Sequence, residues 1–170
     1  MRILLAIDGS KCSEVAVSTL AKRPWPAGTI VRLLSVIEPV TLPVPESVTM
    51  PETWYEAMRR AARADIERAT TLLKQSAGLE IETAIPIGSP QEMILREARD
   101  WHADLIVVGC HGTGQEGQFL LGSVSQAVAL HAPCSVEIVR RECDRSVETA
   151  DYGHLRNEVV DQEIRQAGHV

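Results

Sequence analysis

Short apolar runs alternate with amphipathic stretches along this chain, and no other feature of the sequence limits its fold as strongly. Ile3 to Ile7, Ile30 to Val36 and Leu105 to Val108 are nearly unbroken apolar segments of strand length. Strands of that kind are buried on both faces, as in a parallel sheet covered by helices on each side. Between them the apolar residues recur at three and four. The clearest case runs from Glu52 to Ser76, where Trp54, Met58, Ala62, Ile66, Ala69 and Leu73 mark one face of a long helix ended by Gly78.

The remaining elements follow the same rule. Asp8-Gly9-Ser10 turns the first strand into a helix capped by Ser10 and running to about Lys22. Pro39 stops the second strand, and a proline-rich connection spans Val40 to Pro51. Glu80 to Ile87 alternates acidic and apolar residues, which predicts a third strand near a sheet edge. Ser89-Pro90-Gln91-Glu92 reads as a capping box with proline at the first helical position, leading into Met93, Ile94, Ala98 and Trp101. A fourth helix over Ser123 to His131 and a fifth strand over Ser135 to Val139 complete five strands and four helices. The expected fold is α/β, a single doubly wound parallel sheet with helices on both faces and right-handed crossovers.

At 170 residues the chain is long enough for one ordinary domain. Its apolar runs are strand-sized, so no membrane span is expected, and the N-terminus meets Asp8 too early for a secretory signal. A cytoplasmic protein is the expectation. A net charge of −6 without a dense basic run argues against a nucleic-acid partner. Cys12, Cys110, Cys134 and Cys143 lack C-x-x-C spacing and read as free thiols. His131 and Cys134 alone do not make a metal cluster, and His131 reads as a helix end before Pro133.

Ligand chemistry concentrates at two turns, Asp8-Gly9-Ser10 after the first strand and Gly109-Cys110-His111-Gly112 after the fourth. In doubly wound sheets ligands gather beyond the carboxyl ends of the strands where strand order reverses. The two turns should therefore lie on neighbouring strands, which favours the order 3-2-1-4-5 over 2-1-3-4-5. Strand, glycine-rich loop and helix N-terminus together offer several N–H donors to one anion, and phosphate is the natural ligand. Gly112-Thr113-Gly114-Gln115-Glu116-Gly117 spells G-x-G-x-x-G, with Glu137 twenty positions beyond. It follows the wrong strand for a dinucleotide fold, because that fingerprint belongs at the first strand-to-helix turn. No Gly-Lys-Ser/Thr occurs either, so a Walker loop is absent.

What remains is the long frame of Gly109, two residues, Gly112, nine residues, Gly122 and Ser123. In this frame, in Ile3 to Ser10, in Leu33 to Val36, in Gly88-Ser89-Pro90 and in Ala132 to Val136, the chain resembles the universal stress proteins, over about 140 residues. The resemblance implies a 3-2-1-4-5 sheet of the adenine nucleotide α-hydrolase type. It implies ATP or another adenine nucleotide as ligand, with Mg2+ or Mn2+ bound through the phosphates. Position by position, Asp8 and Val36 match the nucleoside contacts, Val36 through its backbone to the base. Gly109 and Gly112 match the close-approach glycines around ribose and phosphate, and Gly122, Ser123 and Val124 match the phosphate contacts. Read without the family, Asp8 is a turn residue, Val36 a core residue and Ser123 a helix start.

The loop departs from many relatives in carrying Glu116 and no basic residue between Thr113 and Leu121, which leaves backbone donors, a metal or Lys11 to meet the phosphates. Neither a paired carboxylate nor a nucleophile–base set surrounds the loop, so no catalytic residue is assigned. The expected function is a dimeric, ATP-binding stress-response module with at most slow hydrolysis. Its rivals are an ATP-cleaving α-hydrolase and a nucleotide-independent adaptor. The family's dimer edge is the last strand, where Glu137 needs a partner if it faces inward. Residues 1–140 read as the domain and 141–170 as an acidic extension. Leu155, Val159, Val160 and Ile164 in that extension are spaced for a docked helix, against the alternative of a disordered tail.

Overall fold

The apolar runs become five parallel strands in the computed structural model, which describes residues 1–39, 52–75, 78–112 and 121–140. The strands are β1 (Arg2–Ala6), β2 (Thr29–Leu34), β3 (Leu79–Ala84), β4 (Leu105–Gly109) and β5 (Ser135–Val139). The helices are α1 (Lys11–Lys22), α2 (Glu52–Leu73), α3 (Pro90–Asp100) and α4 (Ser123–His131). The sheet order is β3-β2-β1-β4-β5. The expected reversal between the first and fourth strands is therefore present, with Leu4 in register with Arg32 on one side and Ile106 on the other.

Alternation along the strands divides the core between two faces. Ile3, Leu5, Val31, Leu33 and Val107 pack with Ala16, Leu20, Ile66, Ala69 and Leu73 of α1 and α2. Leu4, Leu34, Ile106 and Val108 pack on the opposite face with Ile94, Ala98 and Val128 of α3 and α4. Side chains of a strand point alternately up and down, so a central parallel strand serves both layers with a nearly continuous apolar run. The edge strand β3 is freed from that demand, and Glu80 and Glu82 are exposed on it.

Backbone pairing continues past the strand ends. Ile7 N donates to Leu34 O (2.9 Å), Ser35 N to Ala84 O (3.1 Å) and Ile37 N to Pro86 O (2.9 Å), which carries β2 through Val36. Three expectations need correction. α2 buries Ala62, Ile66, Ala69 and Leu73, but Met58 is 39% exposed and Trp54 is half-buried, so the first turns of the apolar stripe rise away from the core. Trp54 instead meets Tyr55 edge to face at 5.1 Å. α2 also ends at Leu73, ahead of Gly78. At α3, proline does occupy the first turn and Ser89 is the N-cap, yet the Ser89 side chain makes no capping bond. Its carbonyl accepts from Met93 N (2.9 Å), the ordinary first bond of the helix, with proline at the first helical position.

Charged groups tie the edges to the layers. Arg32, midway along β2, donates from Nε to Glu82 (2.8 Å) and from Nη1 to Glu97 (2.5 Å), and its guanidinium lies 4.3 Å from the Trp101 ring centroid. Glu137 on β5 does have a partner: Arg23, just after α1, holds it through two bonds of 2.6 and 2.7 Å. That pair raises the Arg23 pKa above its ordinary value. The proline-rich connection, residues 113–120 of the glycine loop and the 141–170 extension lie outside the described residues.

Candidate functional site

The turn after β1 is built by three short residues. Ser10 N donates to Asp8 Oδ1 (3.0 Å), closing an Asx-type turn, and Ser10 Oγ accepts from Ser13 N (3.2 Å) as the N-cap of α1. Gly9 between them has φ +74, and a Cβ there would come within 2.7 Å of Asp65 Oδ2 on α2. Only glycine meets both conditions.

This turn reaches across the switch point to the loop after β4. Ser10 Oγ donates to His111 O (3.3 Å). A Cβ on Gly112 would lie 2.6 Å from Asp8 Oδ2, so the missing side chain is what lets the Asp8 carboxylate rest against the second loop. Gly109 is glycine for another reason. Its Cβ would stand 2.8 Å from Cys12 Cβ and 3.0 Å from Ser13 N, which makes it the position where α1 passes over the end of β4. Gly109 is expected beside a ligand, and in the structure its bare Cα also admits the first turn of α1.

The two ends of the glycine loop are tied together. Gly122 N donates to Cys110 O (2.7 Å), and the buried Ser125 hydroxyl lies 2.8 Å from the same carbonyl and 2.9 Å from Gly122 O. Gly122 has an ordinary φ of −70, but a Cβ would press on Cys110 O at 3.3 Å. It is the N-cap of α4 and brings no side-chain cap. The N–H groups of the first turn, those of Ser123, Val124 and Ser125, have no acceptor within the helix and meet no competing oxygen from their own cap. Ser123 is exposed and Val124 half-buried at that end. Val36 sits beside the β1 terminus on the continuation of β2, packed against the α3/α4 core.

Asp8, Gly112, Gly109 and Gly122 are thus gathered around the carboxyl ends of β1 and β4, with Val36 one strand over. Lys11 is exposed as the first residue of α1. A separate cavity of about 250 Å³, lined by Ile7, Gly9, Ser13, Val17, Asp65 and Leu72 among others, opens between α1 and α2. None of the frame residues lines it. Pattern reading also missed a side-chain cluster: Cys12 Sγ and Cys110 Sγ are 3.4 Å apart, and His111 Nδ1 is 3.3 Å from Cys110 Sγ. The signal available was that both cysteines flank the two ligand-bearing turns. Cys134 has a thiol pushed up by burial and then by the Asp104 carboxylate.

A parallel sheet of order β3-β2-β1-β4-β5 with helices on both faces defines a doubly wound α/β domain. Comparison with known proteins narrows this class. The description "Universal stress protein family" matches residues 1–140. A Thermus aquaticus protein named "Universal stress protein in QAH/OAS sulfhydrylase 3′region" is 36% identical over 139 residues, covering 81% of this chain and 97% of its own. The solved structure of hypothetical protein MJ0577 superposes with a TM-score of 0.69 at 25% identity, over 83% of this chain and 96% of that one. An Archaeoglobus fulgidus universal stress protein in complex with dAMP has a TM-score of 0.56 at 22% identity, over 82% and 97%. The chain belongs to the universal stress protein family.

Proposed function

We propose that this chain binds an adenine nucleotide, ATP in the first instance, at the mouth between β1 and β4. The carrying observation is the N-terminus of α4, whose glycine cap leaves the first-turn N–H groups to an anion, set next to a glycine at position 112 that admits the Asp8 carboxylate. Phosphates belong at Gly122, Ser123 and Val124. The ribose lies along Gly112 and Asp8, and the base against the backbone of Val36. Solved universal stress proteins described in complex with cAMP, AMP and dAMP support the ligand class. Lacking a basic residue in the loop, the chain would take Mg2+ or Mn2+ with the phosphates, the metal neutralising charge that backbone donors alone do not.

On this reading nucleotide occupancy acts as a signal, with at most slow hydrolysis. β5 is an edge strand of the sheet and the surface proposed for a homodimer. Among the described residues no helix is long and apolar enough to cross a membrane, and a cytoplasmic setting fits the reading. Residues 141–170 are proposed as an appended extension. Equilibrium dialysis of labelled ATP tests these assignments. Gly122→Leu should lower affinity at least about tenfold with helix content intact, a loss of about 1.4 kcal/mol or more. A chain ending at Arg140 should keep it. Undiminished binding by Gly122→Leu would place the phosphates elsewhere.

A further inference from the structure

Two buried thiols and an imidazole meet where the turn after β1 faces the loop after β4, and nothing in the nucleotide reading uses them. Cys12 Sγ, Cys110 Sγ and a ring nitrogen of His111 all lie within 4.8 Å of one another. Cys12 is 3% exposed and Cys110 0%, while His111 is half-buried. We propose that these three residues form a binding site for a zinc-class divalent ion, with water in the fourth position.

The donor set and the spacing both fit. Thiolate and imidazole are the ligands such ions prefer, and three protein ligands leave one position open. Bonds of about 2.3 Å to sulfur and about 2.1 Å to nitrogen in a tetrahedron separate the ligand atoms by about 3.8 Å for S···S and about 3.6 Å for S···N. The observed 3.4 Å between the sulfurs and 3.3 Å between Cys110 Sγ and His111 Nδ1 are a few tenths shorter. Small side-chain rotations open that difference, and His111, the one ligand of the three that is not buried, gives the route in.

The backbone is arranged to hold the pair. Cys110 N donates to Val139 O (2.9 Å), and Cys110 O accepts from Gly122 N, so that residue is fixed from both sides. Cys12 is brought against β4 because Gly109 has no Cβ to keep α1 away. Ligands held on rigid elements by their own supporting bonds are what a metal site needs. The ion would join the first turn of α1 to the exit of β4, and its ligands must shed their protons to bind it.

The test uses the reduced, chelator-treated full chain, without nucleotide, titrated anaerobically with Co(II). The site predicts near-ultraviolet sulfur-to-cobalt charge transfer that saturates at one equivalent and is displaced by Zn(II). Cys12→Ser and Cys110→Ser should each weaken binding at least about tenfold, and His111→Ala should weaken it while retaining the sulfur band. Cys134→Ser and Cys143→Ser should leave it unchanged. As a measurement independent of variant folding, Zn(II) should slow alkylation of Cys12 and Cys110, but not of Cys134, in the wild-type chain, followed until the two buried thiols react in its absence. Absence of the band at one equivalent, a band unaltered in Cys12→Ser, or equal alkylation with and without Zn(II) would overturn the proposal. Because no nucleotide is present, failure of the ATP site leaves these outcomes unaffected.

Discussion

Gly112 and Asp8 show how one absent methyl group shapes a site. A Cβ at 112 would stand 2.6 Å from Asp8 Oδ2, so the carboxylate would have to swing aside from the place it holds against the second loop. Gly109 looks the same in the sequence and does different work, clearing space for α1. The difference was not legible, because spacing in a motif records that glycine is needed and not which neighbour requires it. The Cys12–Cys110 approach was hidden for a related reason: the two residues are 98 positions apart, and only the β1/β4 adjacency brings them together. Cys134 offers a test of local electrostatics. Burial and Asp104 raise its pKa, so at pH 8 its thiolate fraction is below that of a free thiol. Iodoacetamide should therefore label Cys134 more slowly than a cysteine in a short peptide, and peptide-mapping mass spectrometry would show an equal or faster rate if the environment were otherwise.

Among elements, the central strands were the most legible, since burial on both faces leaves little choice but continuous apolar sequence. β5 and α4 have the expected bounds, and the other strands and α1 depart from expectation by three residues at most at either end. α2 is where pattern reading overreached. Its stripe is regular from Trp54 onward, yet only the stretch from Ala62 meets the sheet, and helical period cannot say where the partner surface stops. Ile66→Ala should cost about 2–5 kcal/mol in urea unfolding, whereas Met58→Ala should stay within about 0.5 kcal/mol. Comparable losses at both positions would mean that the N-terminal turns are packed. The capping box read at Ser89 is not formed, because the Ser89 side chain makes no cap bond although the residue is the N-cap.

For the whole molecule, the order β3-β2-β1-β4-β5 sets the reversal between β1 and β4, and the two turns that carry unusual chemistry already imply it in the sequence. The partners of Arg32 and the Arg23–Glu137 pair could not, because they depend on which layers lie face to face. The family frame located the mouth, while the geometry divided its glycines into those that admit a carboxylate, a helix and a loop closure. The central claim is that this mouth holds an adenine nucleotide, and titration calorimetry with ATP, with and without Mg2+, tests it most directly. The account predicts saturable binding of one nucleotide per chain, tighter with Mg2+ and at least about tenfold weaker in Gly112→Ala. No heat of binding at millimolar ATP, or equal affinity in Gly112→Ala, would contradict it.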